Sequence, residues 1–245
     1  MRPFLLISIR GERAAADDEY DAFLRLSGLG EADLRRVDLH AAPLPELDLA
    51  DWAGVVLGGG PWNAGDPEER KPEAQRRAER GLWSLMDQVV ARDVPFLGCC
   101  YGVGVLGLHQ GGTVDREHPE AVGPLSVTLT DEGMADPLLA GLPRDFAAYG
   151  GHKEAAATLP PGAVVLATSA ACPVQAFRVG QHVYATQFHP ELDTEGVCTR
   201  IEVYKSAGYF PPGEAEALKA YSRSVEVTHP QRILARFVGR YAEVA

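Results

Sequence analysis

Cysteine is scarce in this chain, and what there is does not pair. Four cysteines occur in 245 residues, two of them adjacent at Cys99 and Cys100. No spacing between them suggests a disulfide framework. Adjacent cysteines bridge poorly, so a reducing cytoplasm is the expected location. Positive charge is also short: 23 Lys and Arg against 34 Asp and Glu leave a net charge of −11. That balance argues against nucleic acid or an anionic membrane surface as the partner. No apolar run approaches the length of a membrane span, and the first residues lack the basic, apolar, small-residue order of a signal peptide. Internal repeats and low-complexity stretches are absent as well. What remains is a chain that is 46% apolar, enough to bury the core of one α/β domain over residues 1–245.

The stretch Pro95 to Leu108, PFLGCCYGVGVLGL, begins as a short buried strand, turns sharply, and continues with helical apolar spacing. Glycines at 98 and 102 bracket Cys100. This pattern matches a nucleophile elbow, in which small flanking residues let the backbone close around a strand-to-helix turn. The helix N-terminus favours a thiolate at Cys100, and the amide of Tyr101 points where an oxyanion would form. An ordinary buried cysteine in a βα turn fits the same residues taken alone. A second stretch, Val183-Tyr184-Ala185-Thr186-Gln187-Phe188-His189-Pro190-Glu191, reads as a strand ending in a base and a carboxylate. A cysteine nucleophile needs both, one to take its proton and one to orient the base. Pro190 restricts the backbone between them.

Gly98-Cys99-Cys100-Tyr101-Gly102, followed downstream by Gln187-Phe188-His189-Pro190-Glu191, resembles the class I glutamine amidotransferases. The likeness extends to Leu57-Gly58-Gly59-Gly60-Pro61, Gly111-Gly112-Thr113-Val114 and Ala171-Cys172-Pro173, in the family's order. It implies a three-layer, flavodoxin-like α/β fold with a mostly parallel central sheet and helices on both faces. It also implies Cys100 as nucleophile, His189 as base and Glu191 as its partner, with Gly60 and Tyr101 giving the oxyanion-hole amides. Gly59, Gly104, Gly151 and His152 fall at positions that would bind substrate. A structural, hydrogen-bonded histidine is the alternative for His152. Neither a metal nor a cofactor is called for.

The other elements follow from local pattern. Phe4 to Ile9 is a continuous apolar run expected as a doubly buried parallel strand. Asp17-Asp18-Glu19 suits a helix start, and that helix stops near Gly28. Arg35 to Asp38 and Gly54 to Leu57 are expected strands, the second ending in a triple glycine open to a ligand. Pro72 to Arg92 reads as a long amphipathic helix. Trp62 to Lys71 is expected to cover the mouth of the site. Val122 to Leu129 alternates like an antiparallel strand, and Tyr149 to Glu154 aligns with a glutamine-binding loop. Val197 to Thr228 is an extra, largely helical segment, broken at Tyr209-Phe210-Pro211-Pro212-Gly213.

Three departures from the family pattern bear on function. The first strand ends Ser8-Ile9-Arg10-Gly11 in place of an Asp-x-Gly turn. Gly104 stands where the elbow helix usually carries Gln, and Gly151 replaces a polar residue. A site without those partners discriminates poorly for the amino-acid end of glutamine. The sequence ends without a synthetase domain, so a glutaminase here would need a separate ammonia-accepting subunit. Three readings stand: a glutamine amidotransferase-type hydrolase forming a γ-glutamyl thioester, a γ-glutamyl hydrolase or peptidase on another γ-glutamyl small molecule, and a catalytically silent binding or regulatory protein of the same fold.

Overall fold

The computed structural model describes residues 2–242. In chain order, β1 (Phe4–Ser8), α1 (Arg13–Ser27), β2 (Leu34–Asp38), β3 (Gly54–Leu57), α2 (Glu73–Ala91), β4 (Phe96–Cys99) and α3 (Tyr101–His109) form the first half. The second half holds β5 (Thr113–Asp115), β6 (Glu120–Leu129), α4 (Asp131–Ala135), β7 (Asp145–His152), β8 (Ala155–Thr158), β9 (Val164–Thr168), β10 (Ala176–Val179) and β11 (Val183–Thr186). Three helices close the chain: α5 (Thr194–Tyr204), α6 (Ala215–Ser224) and α7 (Gln231–Tyr241).

Nine strands make one mixed sheet in the order β2-β1-β3-β4-β11-β10-β9-β6-β7, and β5 pairs with β8 in a separate ribbon. The five strands from β2 to β11 run parallel, while β10, β9, β6 and β7 continue antiparallel. The parallel half explains its own sequence. Crossover helices cover both faces of such strands, so every residue of β1 is buried and the run is apolar throughout. Alternate side chains then enter different cores: Leu5 and Ile7 join Leu82, Leu85 and Met86 of α2, and Phe4 and Leu6 join Phe23 of α1 and Phe237 of α7. Phe237 packs its ring 5.9 Å from Phe4 and 5.0 Å from Tyr241.

The expected three-layer, flavodoxin-like architecture is therefore the observed one, with β3, β4 and β11 at the middle of the sheet. The segment from Val197 to Thr228 forms the end of α5 and all of α6. It buries Val197, Cys198, Ile201 and Ala215 against Tyr149 and Leu192, and Tyr149 donates its hydroxyl to the Ser222 carbonyl at 2.9 Å. Among the described residues, no helix is long and apolar enough to cross a membrane.

Two local expectations need correction. Helix α1 begins at Arg13, so Asp17, Asp18 and Glu19 lie inside it and not at its start. Cations hold them there: Asp17 meets Arg36 at 3.0 Å and Arg13 one turn back, Asp18 meets Arg200 at 2.9 Å, and Glu19 meets Arg10 at 2.7 Å. The segment Tyr149 to Glu154 is mostly strand. β7 stays paired with β6 as far as His152 opposite Glu120, across an irregularity between Glu120 and Gly123. Gly151 takes φ +153° there, a backbone position that side chains rarely adopt.

Phe237 is 1% exposed and ties the last helix to the sheet. Phe237→Ala should destabilise the protein by about 3–5 kcal/mol, read as a lowered urea midpoint with an unchanged slope.

Candidate active site

The site is built on the turn from β4 into α3. Cys100 caps α3 with φ 52° and ψ −85°, and among the described residues only Asp93 shares a positive φ without being glycine. Such a conformation costs of order 1–3 kcal/mol and needs surroundings that over-determine it. Its amide donates to the Thr186 carbonyl at 2.7 Å, and its carbonyl accepts from Val103 at 2.9 Å. Gly98 makes the turn possible, because a Cβ there would stand 2.9 Å from the Gly102 Cα. The start of α3 is anchored from the side by Tyr101, whose hydroxyl donates to Glu79 at 2.7 Å. Lys71 and Gln75 hold that carboxylate in turn, at 2.6 and 2.9 Å. Cys99, the other half of the pair, is wholly buried, and burial pushes its thiol well up.

β11 delivers the second component. It runs parallel to β4 with Thr186 opposite Cys99, so the residues that follow emerge beside the elbow. The His189 amide donates to the Tyr149 carbonyl at 2.8 Å, and its Nδ1 donates to Glu191 Oε1 at 2.6 Å. His189 and Cys100 line one pocket together. Gln187 Nε2 reaches the Cys100 sulfur at 3.7 Å. Burial opposes charge on His189, but the charge of the Glu191 carboxylate and its hydrogen bond, with the neighbouring Cys100, outweigh it and raise the imidazole. Burial likewise opposes charge on Glu191, which is 0% exposed; His189, Arg10 and Arg200 overcome that and hold it low. The imidazole is thus prepared to carry a proton.

Beneath the pair lies a buried layer that local sequence pattern did not assemble. Arg10 donates Nε to Glu19 at 2.7 Å and Nη1 to the Tyr204 hydroxyl at 3.2 Å. Ser8 donates to the other Glu19 oxygen at 3.0 Å. The triple glycine fits this layer closely: a Cβ on Gly58 would lie 2.6 Å from Glu19 Oε2, and one on Gly59 would lie 2.4 Å from His189 Cε1. Gly59 therefore seats the imidazole; it lines neither of the two pockets at Cys100.

The remaining expected residues divide. Gly60 lines both pockets at Cys100, Tyr101 lines one, and Gly151 lines the other together with His189. Gly104 lines neither; a Cβ there would meet Ala64 Cβ at 2.8 Å and Glu154 Oε1 at 3.0 Å. The place of a side chain is filled by Glu154, which accepts from the Ala64 and Gly65 amides at 2.6 and 2.9 Å. His152 reaches a pocket wall, yet both ring nitrogens are engaged, one by the Glu154 carbonyl at 3.0 Å and one by Glu120 at 2.9 Å. Glu120, His152 and Cys172 bring three potential metal-ligand atoms within 4.8 Å of one another. Ser169 and Gln175 also bind Glu120, and the Cys172 thiol donates to the Val174 carbonyl, so the cluster is a closed hydrogen-bonded network and not an open coordination site.

The residues missed by pattern are Arg10, Glu19, Arg200, Tyr204 and Tyr209. Arg10 stood out only as a departure at the end of the first strand. Arg200 and Tyr204, four apart on α5, offered the weaker signal of polar groups on an inward helix face.

An elbow at the carboxyl end of a central parallel strand is where open α/β sheets place their ligands, and comparison with known proteins agrees with that architecture. A glutamine amidotransferase from Thermotoga maritima superposes with a TM-score of 0.78 at 20% identity, over 99% of each chain. One from Methylobacillus flagellatus does so at 0.70 and 18%, over 99% of this chain and 95% of that one. The family profile "Glutamine amidotransferase class-I" matches residues 27–197. The chain belongs to the class I glutamine amidotransferase family. Among curated relatives, a GMP synthase from Thermomicrobium roseum is 34% identical over 168 residues, covering 67% of this chain and 28% of that protein. A glutamine-hydrolysing GMP synthase subunit from Thermococcus kodakarensis is 27% identical over 154 residues, covering 62% of this chain and 73% of that protein. The match to a GMP synthase from Exiguobacterium sibiricum, 27% identical over 159 residues, likewise spans 28% of that protein's length.

The His189–Glu191 pair predicts a stability profile. The raised His189 stabilises fully below its ordinary 6.5 and loses that contribution as the pH climbs through its higher folded value. The lowered Glu191 stabilises fully above 4.5 and loses its contribution as the pH falls. Removing one partner of a buried pair costs about 3–5 kcal/mol. The stability gap between the wild type and Glu191→Gln should therefore be widest between pH 4.5 and 6.5 and narrow on both sides. Urea midpoints across pH test this, and a flat gap would contradict the coupling.

Proposed function

We propose that the protein is a cysteine hydrolase that cleaves the side-chain amide of a γ-glutamyl compound, with glutamine as the simplest case. The observation that carries this reading is the set Glu191, His189 and Cys100 at one pocket, with His189 bonded to a buried carboxylate at 2.6 Å and lining the same pocket as the Cys100 thiol. A binding or regulatory protein of the same fold would have no use for a buried ion pair aimed at an accessible cysteine.

In the proposed reaction Cys100 Sγ attacks the γ-carbonyl carbon and its proton passes to His189. The carbonyl oxygen gains negative charge, which the amides of Gly60 and Tyr101 would receive. His189 then protonates the departing nitrogen as the C–N bond breaks, leaving a γ-glutamyl thioester and a free amine, or ammonia when glutamine is the substrate. Water attacks the thioester and gives its proton to His189; the C–S bond breaks, and the thiolate recovers that proton. Glu191 stays ionised and stabilises the imidazolium throughout. If ammonia is the useful product, its acceptor would be a separate synthetase chain, in keeping with the Thermococcus relative's being one subunit of its synthase.

Cys100→Ala should abolish glutamate release, and His189→Ala should lower kcat by about 10²–10⁴-fold. An acyl-enzyme should be trapped by mass spectrometry on the wild type and not on Cys100→Ala. Full activity in Cys100→Ala would refute the assignment.

Gly104→Gln would bring a side chain against Ala64 and Glu154. It should lower thermal stability without lowering KM for glutamine. A reduced KM would mean that position 104 reaches the substrate.

A further inference from the structure

Two pockets meet at Cys100, sharing Gly60 and Tyr209 as a partition. Their chemistry differs. The smaller, about 20 Å³, presents Lys153 and Glu154, one charge of each sign, beside Trp62 and Asn63. The larger, about 50 Å³, holds His189 together with Arg10, Arg200 and Tyr204, and no carboxylate lines it among the described residues. If the hydrolytic reading above holds, His189 must hand a proton to the departing nitrogen. The leaving group then lies in the larger pocket, and the zwitterionic end of the glutamyl group lies in the smaller.

The larger pocket is poorly matched to ammonia. Its polar walls are mainly donors, and ammonia needs acceptors. Arg10 and Arg200 are 3% and 6% exposed. Arg200 donates Nη1 to the Ala15 carbonyl at 2.7 Å and stands 2.9 Å from Asp18 Oδ2 as an ion pair, but its Nε and Nη2 are buried without a hydrogen-bond partner among the described residues. Buried guanidinium nitrogens without acceptors are costly to maintain. The Tyr204 oxygen already accepts from Arg10, which leaves its own proton for another acceptor. A carboxylate supplies what these groups lack, because its two oxygens match the planar guanidinium fork. Space is adequate, since a single water needs only about 10–15 Å³ on the same measure. Tyr209 and Phe210, after α5, close this side. Tyr209 packs 6.5 Å from Tyr204, and the Lys153 ammonium sits 4.2 Å over the Tyr209 ring while donating to the Ala207 carbonyl at 3.0 Å.

We propose that the larger pocket is a leaving-group subsite in which Arg200, with Arg10 and Tyr204, selects γ-glutamyl amides of amines that carry a carboxylate, in preference to glutamine itself.

The test measures glutamate release by the intact protein from glutamine, from the neutral γ-glutamylethylamide, and from γ-glutamyl amides of glycine, β-alanine and 4-aminobutyrate. At least one carboxylate-bearing substrate should exceed both glutamine and the ethylamide by tenfold or more in kcat/KM. Arg200→Met, checked for folding by its thermal transition, should erase that advantage. Should the variant fail to fold, the comparison on the unaltered protein decides alone. Equal or faster turnover of glutamine or the ethylamide would overturn the subsite and leave the hydrolytic reading standing. A folded Arg200→Met that keeps the preference would overturn the assignment to this pocket. No glutamate from any substrate and no acyl-enzyme at Cys100 would overturn the hydrolytic reading itself, and the subsite with it.

Discussion

The turn at Cys100 is the constraint on which the rest of the site depends. A residue with a Cβ is held at φ 52° because the sheet supplies an acceptor for its amide at Thr186 and because two glycines let strand and helix touch. That acceptor exists only while β11 lies beside β4, and the turn that follows the same strand carries His189. One pairing therefore places both Cys100 and His189, and loosening either strand would move both. Tyr101 extends the constraint outward through Glu79 to Lys71 and Gln75. The first turn of α3 is thus fixed by charge-assisted bonds from α2 as well as by packing.

Buried charge is the second organising factor. Glu19 and Glu191 are both 0% exposed, and a carboxylate in that position is tolerated only when its partners are close and geometrically matched. Arg10 serves Glu19 directly, and it helps hold Glu191 ionised together with Arg200. These arginines come from the end of the first strand and from α5, elements far apart in the chain. Their convergence joins α5 to the parallel half of the sheet electrostatically. It also explains why the triple glycine must be small, since Glu19 and His189 occupy the space a side chain would take at Gly58 and Gly59.

Local pattern made much of the fold legible in advance. Doubly buried strands are apolar without alternation, so β1 and β3 could be read directly, and α2 announced itself by the spacing of Leu82, Leu85, Met86 and Val89. Asp17 to Glu19 misled for a physical reason. Acids favour helix starts when they lack other partners, and here Arg13, Arg36, Arg200 and Arg10 supply partners that no local window contains. Tyr149 to Glu154 differs for another reason: its likeness to a family loop implied a loop, while pairing with β6 holds most of it in a strand.

The sequence by itself determined the elbow, a histidine and a carboxylate two residues apart, and the family to which they point, because each of these is a short-range arrangement carried by adjacent residues. Only the tertiary structure decided what surrounds them. It turned Gly104 toward Ala64 and Glu154, closed His152 into a network with Glu120, and lined one pocket with Arg10, Arg200 and Tyr204. Those outcomes depend on contacts between residues up to 194 positions apart, and the identity of a side chain does not say which distant neighbour the folded sheet will bring to it.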